Sequence, residues 1–374
     1  MKKITIVALH LGYGGIEQAI TSLANIFANE YEINIISTYQ LYDQPVFKIN
    51  DKVKITYLTT LKPNKKALVE ALKKLHLLTF FKEVIMSIKV LYLKRQLMIK
   101  ALVNLDSNIV ISTRPYHHAL VGKYVKEGSI KIAWEHSHHN NSKQYIKELV
   151  TSCHNMNYLI SVSQDLNSFY TGLMPDLKCL CIYPALDYQP TELAPLNAKE
   201  ITFIGRLSKE KGLVDLIDVF KLVNIKKPDW HLNIIGDGTE REKLINKIKE
   251  DNLENVITLP GFKNKDELKT ILLQTSLYVM TSFTESFGLV LIEAMAYGIP
   301  CLAFDSAQGA NEIIDNQVNG YLIPDRNKEA MASALLTLIN DLNLRKEMGS
   351  LAHAKSLSYS PSMIKQEWVN IFNK

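Results

Sequence analysis

Short runs of β-branched and other apolar residues alternate along most of the chain with longer stretches whose apolar positions recur at helical spacing. The runs at Ile4–Leu9, Glu32–Ser37, Lys54–Leu58, Ile109–Ser112, Ile130–Trp134, Tyr158–Val162 and Lys178–Ile182 read as strands, and helices fill the intervals, the first from Gly15-Ile16. Pro184, Pro190 and Pro195 then interrupt the pattern where few apolar positions occur, which marks residues 184–198 as a linker. It restarts at "EITFIGRLSKEKG", with strands near His231–Ile235, Val256–Leu259, Leu277–Met280, Pro300–Ala303 and Gly320–Leu322. Strands that alternate with amphipathic helices predict an α/β fold in which helices cover both faces of a parallel sheet. Two such doubly wound domains are expected, residues 1–183 and 199–360, with the carboxyl ends of both sets of strands facing a central cleft. Residues 361–374 read as a helix that could pack back on the first domain.

Composition changes this picture little. A length of 374 residues suits two domains, and 47% hydrophobic residues suffice for two cores. No run reaches the roughly 18 apolar residues of a membrane span. "MKKITIVALHLGYGG" has the basic start of a signal peptide, but its short apolar run ends in glycines with no cleavage site, so it reads as a buried first strand. Cys153, Cys179, Cys181 and Cys301 form neither a CxxC pair nor a Cys/His metal spacing, which points to a reduced, cytoplasmic protein.

Charge changes it more. Residues 1–190 carry 22 Lys and Arg against 14 Asp and Glu, while the remainder carries 21 against 24. Ten basic and two acidic residues lie between Lys62 and Lys100. Large aliphatics dilute this stretch and no nucleic-acid module accompanies it, so a basic amphipathic helix on an anionic membrane surface is the functional reading, against an ordinary solvated face. On a helical wheel Lys82, Lys89 and Lys100 cluster, whereas Ile85, Ile88 and Tyr92 are expected to point elsewhere.

Candidate chemistry gathers at strand ends. In "FIGRLSKEKG", Arg206 and Lys211 follow a strand closely enough to converge on one anion, a planar fork beside a compact charge. Gly236-Asp237-Gly238 occupies another strand-to-helix turn, where glycine lets backbone approach a ligand and equally makes an ordinary turn. "TESFGLVLIEA" places Glu285 in a loop and Glu293 in about the second turn of a helix opened near Gly288. Between them, the amides around Gly288, Leu289 and Val290 form a helix start suited to a diphosphate. The bland alternative is a pair of carboxylates favouring the helix dipole.

Taken in order, Gly205-Arg206…Lys211-Gly212, Gly236-Asp237-Gly238, the Glu285-x7-Glu293 pair and Gly298-Ile299-Pro300 resemble the donor-binding domain of glycosyltransferase family 4. The first half resembles that family more loosely, through "GYGGIEQAI" and "WEHSHHN". The resemblance implies the GT-B architecture of two Rossmann-like domains. It also implies retaining transfer from a nucleotide sugar with no metal and no cofactor. Glu285, Arg206, Lys211 and a histidine at the end of the fifth strand then form the catalytic set. That histidine is His136, with His138 as the alternative because Ser137 replaces the family's usual aspartate. Gly14, Gly15, Arg114, Gly236, Ser286, Phe287, Gly288, Leu289 and Glu293 line the substrates. Zinc on the histidines of "WEHSHHN" is the rival there, but no cysteine or acidic partner has suitable spacing. The expected activity is transfer of a hexose or N-acetylhexosamine, from UDP, to a lipid-linked or surface-glycan acceptor at the inner face of the membrane. A sugar-nucleotide epimerase and a non-catalytic partner of a transferase are the alternatives.

Overall fold

A computed structural model describes residues 1–74, 76–186 and 188–373. Leu75 of the basic stretch, Asp187 of the anticipated linker and Lys374 lie outside the described residues, as do the side chains of Lys65 and Lys66. The chain divides into two compact units. One comprises Met1–Val162, Asn167–Ile182 and the stretch from Lys365; the other comprises Ser163–Leu166 and Tyr183–Ile364.

The strands of the first unit are β1 (Lys3–Ala8), β2 (Glu32–Tyr39), β3 (Lys54–Thr59), β4 (Ile109–Ser112), β5 (Ile130–Glu135), β6 (Tyr158–Ser161) and β7 (Lys178–Cys181). They form one parallel sheet in the order β3-β2-β1-β4-β5-β6-β7. Its helices are α1 (Gly15–Phe27), α2 (Lys65–Lys73), α3 (Leu77–Val103), α4 (Pro115–Tyr124), α5 (Lys143–Ser152) and α6 (Gln164–Leu173). Ile4, Ile6, Ile35, Ile109, Ile111 and Ile132 are buried, as expected of strands covered on both faces. The order in which strands are added reverses between β1 and β4, so the loops leaving those two parallel strands diverge and open a crevice beyond their carboxyl ends.

In the second unit, β8 (Glu200–Ile204), β9 (His231–Ile235), β10 (Ile257–Gly261), β11 (Leu277–Met280), β12 (Cys301–Phe304) and β13 (Gly320–Ile323) form a parallel sheet in the order β10-β9-β8-β11-β12-β13. The helices are α7 (Leu213–Lys226), α8 (Arg241–Glu250), α9 (Lys265–Leu273), α10 (Leu289–Ala296), α11 (Ala310–Ile313), α12 (Lys328–Asn340), α13 (Leu342–Ser356) and α14 (Pro361–Phe372). Local signals fix several starts: Asn264 and Glu267 form a capping box on α9, and the Asp341 side chain accepts the Leu344 amide of α13. Phe203, Phe220, Leu232, Ile234, Leu277 and Val279 are among the buried residues of one continuous core. Here the switch point lies between β8 and β11.

The part of α14 from Lys365 belongs with the first unit. Trp368 packs edge-on against Trp134 at 5.1 Å between ring centroids, and Phe372 meets Phe27 at 5.0 Å. The Lys2 ammonium donates to the Phe372 carbonyl at 2.7 Å. On α3 the pattern differs from the expected basic face. Ile85, Ile88 and Tyr92 are themselves exposed, and the helix packs inward through Val90, Met98 and Leu102. Only a narrow inward strip of this long helix is covered, so its aliphatics outnumber the sites that could bury them.

Candidate active site

Backbone lacing between strand-end loops builds the site of the second unit. Leaving β8, the Gly205 amide donates to Ile235 and the Leu207 amide to Asp237, both at 3.0 Å; the Glu240 amide returns to Leu207 at 2.9 Å. This approach requires Gly236 and Gly238. A Cβ at Gly236, whose φ is 136°, would lie 1.9 Å from the Gly205 carbonyl, and one at Gly238 would lie 2.3 Å from that of Leu207. Further on, the Phe283 amide donates to Glu210 at 2.8 Å and the Thr281 hydroxyl to the Lys211 carbonyl at 3.1 Å. The loop after β8 is thus tied to the loop after β11, on the two sides of the switch point.

This lacing brings the Lys211 ammonium onto the Glu285 carboxylate, both about four-fifths buried. An ammonium has three donors, so one bond to Glu285 leaves others for an anion. Gly288, in the left-handed region at φ 101°, caps α10, and a Cβ there would lie 3.6 Å from Glu285 Cγ. The carboxylate, the ammonium and the amide end of α10 therefore share one spot, and the positive end of the helix dipole adds to the Lys211 charge. Glu293 sits one turn along α10, partly buried. Burial raises the Tyr278 phenol, with Cys301 and the charges of Glu293 and Glu285 adding to it, so both acids lie near that ring. Arg206 extends an exposed side chain from the same loop. Burial would raise Glu210, but the Ser208 hydroxyl and its own amide, with the cations Lys211 and Arg206, hold it down. Phe287 is buried, stacked on Tyr183 at 5.3 Å, while Ser286 and Leu289 stay partly exposed beside it.

Arg326 was not legible as part of this site. Its guanidinium donates to the carbonyls of Thr281 (2.9 Å) and Ser282 (3.1 Å) and to the Ser306 hydroxyl (3.1 Å), and it pairs with Asp215 at 2.9 Å. It lies 4.2 Å from the ring centres of both Phe283 and Phe304. It thereby braces the loop that carries Glu285. Its neighbours come from three separate segments, and "IPDRNKE" carries no local signature of that role.

In the first unit, the switch point between β1 and β4 collects a second polar cluster. Glu17, in the first turn of α1, is buried at 3% exposure. Its carboxylate meets Arg114 at 3.3 Å and His10 at 3.5 Å. A Cβ at Gly14 would lie 2.2 Å from Glu17 Oε2 and would displace that carboxylate; Gly15 has open space around it. Lys94 sits over the Tyr116 ring at 3.6 Å. His117 and His118 are fully buried, with His117 Nε2 3.0 Å from the Thr38 hydroxyl and His118 Nδ1 2.7 Å from that of Ser112.

At the end of β5, His136 lies 4.2 Å from Trp134 between ring centroids. The residue is partly exposed but Nε2 is enclosed, and burial, with the charges of Arg114 and His118, holds its pKa down to about 3, so the imidazole is neutral at pH 7. His138 stacks on His139 at 4.4 Å and caps a turn through Asn140. Glu135 is buried; its Oε1 accepts the Ser137 amide at 2.6 Å and the Tyr145 hydroxyl at 3.0 Å. Burial pushes this carboxyl up to about 7, against those two bonds, the His136 amide and the Arg114 charge.

Residues 187–355 match the family described as Glycosyl transferases group 1. The second unit carries a group 1 glycosyltransferase domain. Over 99% of its length the chain is 28% identical to an uncharacterized glycosyltransferase of Haemophilus influenzae, all of which is covered. It is 27% identical, over 98% of both chains, to the Campylobacter jejuni N-acetylgalactosamine-N,N'-diacetylbacillosaminyl-diphospho-undecaprenol 4-alpha-N-acetylgalactosaminyltransferase. The fold is the GT-B type of two parallel-sheet Rossmann-like domains. A TarM structure from S. aureus, solved with fondaparinux, alpha-GlcNAc-glycerol and UDP, superposes with a TM-score of 0.81 at 18% identity, covering both chains completely.

Proposed function

We propose that this chain is a retaining family 4 glycosyltransferase that moves a hexose or N-acetylhexosamine from UDP to a lipid-linked or growing surface glycan. The observation that carries the reading is the Lys211–Glu285 pair at the amide end of α10, at the switch point of the second sheet. Cation, carboxylate and helix start together match a sugar diphosphate, whose anion needs the first and last and whose hydroxyls need the second. Lys211, Arg206 and the amides of Gly288 and Leu289 neutralise the departing diphosphate without a metal. Glu285 and Ser286 hold hydroxyls of the transferred sugar and Glu293 the ribose, while Gly236 and Phe287 shape the floor.

The second unit takes the donor, through residues within 199–360, and the first takes the acceptor, through residues within 1–183. Gly14, Gly15 and Arg114 contact the incoming sugar, and His136 lines the reaction centre, its enclosed neutral imidazole and Arg114 neighbour favouring it over His138. The acceptor oxygen forms its bond to the anomeric carbon on the face that the diphosphate leaves. The bond to the leaving oxygen breaks, and the acceptor proton passes to a phosphate oxygen. The basic excess of the first half supports a peripheral position on the anionic inner membrane face, where a lipid-linked acceptor would lie. The diphospho-undecaprenol in the Campylobacter relative's name and the UDP in the TarM structure support the acceptor and donor classes.

Nucleotide-sugar turnover in purified Lys211→Ala and Arg206→Ala chains tests the reading. A fall of about 10²–10³-fold in kcat is expected for each, with folding intact by circular dichroism. Wild-type rates in both would reject it.

A further inference from the structure

The long helix α3 has an outward face that neither a fold nor a donor site explains. Leu78, Phe81, Ile85, Ile88 and Tyr92 fall within an arc of about 80° on a helical wheel. They are exposed at 89%, 61%, 68%, 62% and 62%. The stripe runs about 21 Å along the helix. Single exposed apolar side chains are ordinary, but a contiguous row marks an interaction surface. Lys82, Lys89 and Lys100 border the arc on one side and Arg95 on the other, all exposed. The acid of this helix, Glu83, is turned away and accepts from Asn64 at 2.5 Å. An apolar strip with a rim of one sign suits a bilayer of opposite sign. A second copy would set like charges along both edges.

We propose that α3 lies in the plane of an anionic bilayer, with the Leu78–Tyr92 stripe immersed at the acyl boundary and the rim cations on headgroups. This deepens the reading of a membrane-held acceptor and rests on it. It also changes the expected physics: charge attraction alone is screened by salt, whereas immersion of the stripe is not.

Flotation of the full chain with phosphatidylcholine vesicles, with and without phosphatidylglycerol, tests this. The wild-type chain should float with the anionic vesicles and keep part of that binding in high salt. An Ile85→Asp, Ile88→Asp pair should weaken binding by about 100-fold. A Lys82→Gln, Lys89→Gln pair should weaken it about fivefold per lysine, at low salt only. Both pairs should keep wild-type circular dichroism and donor hydrolysis. Wild-type flotation of the aspartate pair would overturn the proposal. So would a concentration-dependent dimer in ultracentrifugation that Ile85→Asp dissolves, because the stripe would then be a contact between copies. Salt-resistant flotation of a chain that hydrolyses no nucleotide sugar would uphold the docking surface and remove the enzymatic reading alone.

Discussion

Replacing Glu135 by Gln should change how the stability of the first unit depends on pH. The carboxyl is 1% exposed, and burial holds its proton until about pH 7 instead of the ordinary 4.5. An unfolded chain releases that proton near 4.5 and the folded chain only near 7. Between those values the folded state holds the extra proton, so stability falls as pH rises and the loss is complete above 7. At 1.36 kcal/mol per pH unit, the span is worth about 3 kcal/mol. His118 and His136, both held down to about 3 by burial first, act oppositely. The unfolded chain takes up their protons as pH drops below about 6.5, and stability is lost on the acid side. Glutamine keeps an oxygen for the Ser137 amide and the Tyr145 hydroxyl but cannot ionise. Urea denaturation of both proteins, followed by tryptophan fluorescence, should give similar stabilities near pH 4.5. By pH 8 the variant should be the more stable by about 3 kcal/mol. Curves that run parallel across this range would refute the buried, proton-holding Glu135.

Gly212→Ala should lower the stability of the second unit by about 2–4 kcal/mol, because φ is 61° and the new Cβ would lie 2.1 Å from the Thr281 carbonyl. Thermal denaturation reads this, and an unchanged Tm would contradict the close approach. Arg326→Leu should cost about 2–4 kcal/mol by leaving the Thr281 and Ser282 carbonyls without their donor. Lys328 still pairs with Asp215 at 2.7 Å, so the loss should centre on the loop and raise the donor KM; an unaltered KM would sever the brace from the site.

Much of the fold was legible because each strand is a short apolar run and each helix a longer amphipathic one. Every anticipated strand is present, with ends displaced by one or two residues, as at Glu135, whose backbone still lies in register with Ser161. Strand order was not legible: periodicity shows that Ile6 and Ile111 lie in strands but not that β1 and β4 are neighbours. That adjacency brings Arg114 onto Glu17, a pairing that nothing near either residue in sequence announces. Gly236 and Gly238 stood out as strand-end glycines, but their close neighbours, the carbonyls of Gly205 and Leu207, lie some thirty residues earlier. For α3 the helical wheel separated the aliphatics from the lysines, but nothing local records how narrow a strip of that helix is covered.

Trp368 and Phe372 complete a core whose other members precede Leu186. A nascent chain therefore cannot finish the earlier unit as it emerges. Trp134 and Phe27 await ring partners made only after nearly the whole second unit has been translated. Synthesis order and folding order diverge in this molecule, and a stop codon placed just before Lys365 would be felt first among the residues made earliest.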